Sequence, residues 1–90
     1  MGNTRRVEFE GFIVGYEEPP VQLGRDEYSI LLDGSLKDDG KMLHEGYFYL
    51  IAPKSMEGGV DIGVGSSISG EGELLMMGEE PVIRLLKTSS

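Results

Sequence analysis

The chain has no cysteine, a single histidine, few basic residues and no long apolar run. Without cysteine, disulfides and thiolate metal sites are excluded. A zinc site would have to be filled mainly by carboxylates around His44, an unusual donor set. No stretch approaches the ~20 apolar residues of a membrane helix. Met1–Arg6 carries two arginines with no apolar segment behind them, so no signal peptide is expected. Arg6 stands where a myristoylation signal wants Ser or Thr. Eight Lys and Arg face sixteen Asp and Glu, a formal net charge of −8. That balance suits a cytoplasmic protein that avoids self-association, and it weakens attraction to phosphate backbones.

Ninety residues fit one domain, expected over 1–90 with 1–5 and 88–90 frayed. A domain of this size buries roughly 60% of its unfolded surface. Neither a Pro- or Ser-rich linker nor an internal repeat divides it. Fourteen glycines are scattered along the chain, and no window keeps a helical apolar period free of them. Strand signals dominate instead.

The first strand is expected over Arg6–Tyr16. Val7 and Phe9 alternate with Glu8 and Glu10, one face buried and one wet. Past Gly11 the apolar residues Phe12, Val14 and Tyr16 occupy the glutamates' face, which predicts a bend or bulge at that glycine and a change of buried face. Pro19, Pro20 and Gly24 make Glu17–Asp26 a loop. Glu27–Asp33 is the second strand, with Tyr28, Ile30 and Leu32 on one face. Asp33-Gly34 and Asp39-Gly40 both read as turns. Lys41–His44 continues the strand pattern. Tyr47–Ala52 is the third strand, stopped by Pro53. Lys54–Gly65 is irregular, and Met56, Val60, Ile62 and Val64 are expected to plug a barrel end. Ser66–Met77 is the fourth strand, with Gly70 and Gly72 facing inward beside Ile68 and Leu74, as a tightly curled sheet requires. Gly78–Pro81 turns into a fifth strand, Val82–Lys87. The expected architecture is an all-β, five-stranded Greek-key barrel with little or no helix, since closure removes exposed edges. Val7, Phe9, Ile13, Ile30, Leu32, Ile68, Leu74 and Leu85 are its expected core.

Motifs for phosphate, calcium and catalysis fail residue by residue. Gly63-Val-Gly65 opens like a dinucleotide fingerprint, but Ile68 stands where the third glycine belongs. Gly65 to Gly70 has P-loop spacing, with Glu71 in place of the lysine. A calcium loop on Asp33–Gly46 would put Ser35 and Lys37 at ligand positions. His44 has no nucleophile and orienting acid marked beside it. The acid pairs Glu17–Glu18, Asp38–Asp39 and Glu79–Glu80 fall in turns or loops, where solvated charge is the ordinary reading. The expectation is a non-enzyme with no metal and no cofactor.

The segments Val7–Gly15, Tyr28–Gly34, Val64–Leu74 and Gly78–Leu85 together resemble the nucleic-acid-type oligonucleotide/oligosaccharide-binding (OB) folds, the group that includes replication protein A subunits and the anticodon-binding domains of tRNA synthetases. The chain departs from them in having no clear helix between strands three and four and no C-terminal assembly helix. The resemblance implies single-stranded nucleic-acid binding, in replication, repair or RNA metabolism. Bases would stack on Tyr28, Tyr47 and Tyr49, assisted by Arg25, Lys41, Lys54 and Arg84. The acidic loops favour an alternative: a protein-interaction or assembly subunit of a nucleic-acid-processing complex, contacting its partner through Glu17, Glu18, Glu79 and Glu80. No membrane partner is implied.

Overall fold

The computed structural model describes residues 5–56 and 63–89. Five strands follow one another: β1 (Arg5–Gly15), β2 (Glu27–Asp38), β3 (Lys41–Pro53), β4 (Ser67–Met76) and β5 (Val82–Thr88). A 3₁₀ turn, Lys54–Met56, follows β3. The strands close into a barrel in the order β1-β2-β3-β5-β4. All neighbours are antiparallel except β3 and β5, which run parallel through Tyr49↔Val82, Leu50↔Ile83 and Ile51↔Arg84. The expected all-β Greek-key barrel is therefore observed. Pairing extends to Arg5, opposite Leu74, and to Thr88, opposite Gly70.

Alternation fills the interior from every strand. Val7, Phe9 and Ile13 on β1 meet Ile30, Leu32 and Leu36 on β2, and Phe48, Leu50 and Ala52 on β3, with Ile83 closing the cluster. Phe48 is fully buried and meets Phe9 edge-to-face at a centroid distance of 6.5 Å. Of the expected core, Ile68, Leu74 and Leu85 are only partly buried and pack against this cluster from its rim.

Three expectations are corrected by the register. First, Gly11 is no bulge. Pairing runs unbroken through it on both sides, Gly11↔Gly34 and Gly11↔Ile68, and the register shift falls later, between Ile13 and Gly15. The buried face does not change at Gly11: Ile13 stays inside and Phe12 outside at 61% exposure, and only past the later register shift does Tyr16, 53% exposed, come against Tyr28 of the inner face. Second, Asp33-Gly34 is not a turn but mid-strand. Gly34 is there for close approach. A Cβ on it would overlap the Glu10 carbonyl oxygen and Gly11 Cα, and a Cβ on Gly11 would lie 2.9 Å from the Asp33 oxygen. Two facing glycines let β1 and β2 pass nearly backbone to backbone. The true hairpin turn is Asp39-Gly40, with φ of 52° and 85°, the paired positive values of a two-residue type I′ turn. Third, Val64 plugs nothing, being 68% exposed. The rest of that expected plug, Met56, Val60 and Ile62, lies outside the described residues and side chains.

Candidate functional site

Because the register is continuous, the outward residues of four strands form rows. One row runs Ser69–Glu10–Ser35–Glu45 across β4, β1, β2 and β3. The next runs Ser67–Phe12–Asp33–Tyr47. A third continues Leu31–Tyr49–Val82 into β5. A groove of about 590 Å³ lies over the first two rows and the Gly11–Gly34 crossing. Its lining includes three carboxylates (Glu10, Asp33 and Glu45), Phe12, and the hydroxyls of Ser35, Ser67 and Ser69. Lys and Arg are absent from that lining. Tyr47, opposite Asp33 in the second row, is 49% exposed. Its backbone is fixed locally: His44 Nε2 donates to the Tyr47 carbonyl oxygen at 2.8 Å, bridging Gly46, whose φ is 130°. His44 thus lies within β3, half-buried, its ring edge-on to Phe48 at 6.5 Å.

The third row is different. Leu31 and Val82 of this row, and Ile51 and Ser29 beside it, point outward by alternation yet are buried. The loop after β1 is pinned across this end of the sheet. Ser29 Oγ donates to the Glu17 carbonyl oxygen, and Lys54 N donates to the Asp26 oxygen at 2.7 Å. Glu27 adds a clamp. Its carboxylate accepts from Gly24 N at 2.7 Å and pairs with Arg84 Nε at 2.9 Å. The Arg84 side-chain bond, then the Gly24 amide, hold the Glu27 carboxyl below the usual carboxylate range.

That clamp gives a pH prediction. A carboxyl depressed in the folded state stabilises at pH values above its unfolded pKa, and the stabilisation is lost as pH falls through the folded value. The pair is partly exposed, so about 1 kcal/mol or less is at stake. The gap in urea stability between wild type and Glu27→Gln should be present at about pH 7 and close as pH drops below the ordinary carboxylate range. A gap that persists in acid would show that the pair is not its source.

The expected nucleic-acid residues do not converge. Tyr28 is buried in the core cluster beside Ile30 and Leu32, so it offers no outward platform; its ring stacks on Tyr16 at 6.2 Å. Even spacing on β2 puts 28, 30 and 32 on the inner face, which is the physical reason. Tyr49 faces outward but is half-covered. Desolvation raises its phenol above the ordinary value, and the charges of Glu80 and Glu17 raise it further. Arg84 is committed to Glu27. Lys41 and Lys54 stand at opposite ends of β3 and its following turn, and Arg25 sits in the pinned loop. Arg5, Arg6 and Lys87 are paired with Asp38, Glu71 and Glu71, and the Lys87 bond holds the Glu71 carboxyl below its usual range. Of the expected acidic contacts, Glu17, Glu18, Glu79 and Glu80 are all exposed, and the first and last both act on Tyr49.

The sequence reading missed Glu10, Phe12, Asp33 and Glu45 as a site. The signal was present, since Phe12 shares parity with Glu8 and Glu10. Assigning that face to the interior beyond Gly11 hid it. Among the described residues, no group of three or more His, Asp or Glu is arranged to hold a metal ion. No helix among them is long and apolar enough to cross a membrane. What the structure defines is a closed five-stranded barrel with an acidic, aromatic outer groove. Comparison with known proteins adds no relative: no family model, curated protein or solved structure matches the chain.

Proposed function

We propose that the chain is a non-catalytic OB-type binding module whose ligand is a protein, and that it serves as an interaction or assembly subunit. The strand order, with β1 bridging β2 and β4 and β5 parallel to β3, supports the OB assignment. The observation that carries the choice of ligand is electrostatic. The outward face of β2 and β3, where OB barrels bind oligonucleotides, carries Asp33 and Glu45 and is flanked by Glu10, Glu17 and Glu80. Nucleic-acid affinity draws heavily on Lys and Arg against phosphate. Here the groove has neither, and one of the expected stacking rings is in the core.

Nucleic acid remains the second reading on one observation: Phe12, Tyr47 and Tyr49 put aromatic surface on the same outward face. Stacking alone is worth ~1–3 kcal/mol per base, too little to offset several opposing carboxylates without cationic help. Labelled single-stranded DNA and RNA oligonucleotides should therefore show no saturable binding at micromolar protein, even at low salt. Saturable binding lost in Tyr47→Ala or Tyr49→Ala would move the assignment to nucleic acid.

A further inference from the structure

The outer groove has a composition that selects one kind of cation. Phe12 and Tyr47 stand in one cross-strand row with Asp33 between them. Two strand spacings separate their backbones, about 9.5 Å. A planar group stacked against both rings needs about 7 Å between ring planes, at ~3.5 Å contact on each side. The backbone spacing is wide enough for one flat side chain to lie between the two residues. Glu10 and Glu45 flank Ser35 in the adjacent row, one strand to either side of it. Ser35 is 9% exposed, points outward by alternation and lines the groove. Among the described residues its hydroxyl has no hydrogen-bond partner, and it is open to the groove.

We propose that this groove seats an arginine side chain from an extended basic segment of a partner protein. The inference rests on the protein-binding reading above and specifies its site and partner chemistry. A guanidinium is planar, stacks on aromatic faces and forks its N–H donors to a carboxylate, here Asp33. Lysine has the charge but neither the plane nor the fork. Glu10 and Glu45 attract the flanking cations of the same segment, and the Ser35 hydroxyl accepts from the segment's backbone or a guanidinium N–H. The protein's net charge of −8 steers such a partner from a distance.

The test uses a fluorescent synthetic peptide of alternating Arg and Ser, about ten residues long, and its Lys counterpart, titrated into the full chain, with amide shifts mapped by NMR. The Arg peptide should bind saturably, with shifts centred on Phe12, Asp33, Ser35 and Tyr47. The Lys peptide should bind about fivefold more weakly, and Phe12→Ser or Asp33→Asn should weaken Arg-peptide binding about tenfold, roughly one stacked or charge-assisted contact. All these positions but Ser35 are exposed, so the amide spectrum of each variant should stay folded. A variant with Glu17, Glu18, Glu79 and Glu80 changed to Gln serves as a charge control. It removes more charge than Asp33→Asn yet should weaken binding less. If that variant loses more, or the shifts centre on those loops, the groove assignment is overturned while the protein-binding reading stands. Absence of Arg-peptide binding up to millimolar concentration also overturns it. Oligonucleotide binding in place of peptide binding would overturn both.

Discussion

Gly34→Ala is expected to unfold the barrel, or to lower its stability by at least about 3 kcal/mol. The added methyl has no space: it would overlap the Glu10 carbonyl oxygen and Gly11 Cα, both backbone atoms that no side-chain rotation can move aside. Relief requires β1 and β2 to separate at the point where their pairing is continuous through Gly11↔Gly34. A 90-residue domain holds about 5–13 kcal/mol in all, so this one change approaches the total. In a domain of this size 3 kcal/mol corresponds to a melting temperature lower by roughly 12 °C or more. Gly15→Ala is the matched control, because nothing lies within 4 Å of its added Cβ. Thermal melts of the two variants check this, and a Gly34→Ala melt within a few degrees of wild type would mean that the strands cross with room to spare.

Phe48→Ala carries the second large effect. Its ring is fully buried, meets Phe9 edge-to-face and is flanked by His44. Truncating a buried Phe removes transfer energy and leaves a cavity that a stiff barrel closes poorly, about 3–5 kcal/mol together. The ring's neighbours come from different strands, so the loss is felt across the barrel rather than in one hairpin. Phe48→Leu keeps most of the volume and should cost closer to 1–1.5 kcal/mol, about the ordinary scale for a shape-changing apolar swap. Urea titration of the pair reads both numbers. A Phe48→Ala cost under about 1 kcal/mol would contradict the packing described here.

The barrel was legible in the sequence because period-two alternation is robust over strands this long. Val7, Phe9, Ile30 and Leu32 fall inside as their spacing requires, and the inward pair Gly70 and Gly72 is buried where the sheet curls. What was not legible is what a glycine in a strand is for. Gly11 and Gly34 read locally as a bend and a turn, since Gly is the usual residue for both. Their purpose is visible only once two strands are laid against each other, because close approach is a property of a pair distant in sequence. That single ambiguity propagated. It shortened β2, and it sent Phe12 to the interior, where the groove it helps to form on the outside could not be seen. Tyr28 failed the other way. Aromatic content marked β2 and β3 as a stacking surface, but parity on β2 gives Tyr28 to the core and parity on β3 gives Tyr47 and Tyr49 to the outside. The covering of Leu31 and Ile51 depends on where a proline-bearing loop lies down, and no strand periodicity encodes that.

The central claim is that the carboxylates on the outward face exclude nucleic acid and leave the surface to a cationic protein. The most direct measurement titrates a labelled single-stranded oligonucleotide at low salt into wild type and into a variant with Glu10→Gln, Asp33→Asn and Glu45→Gln. The account predicts a flat wild-type titration at micromolar protein, with any binding confined to the variant, where phosphate repulsion has been reduced. Saturable wild-type binding, strengthened in the variant and abolished by Tyr49→Ala, would contradict it.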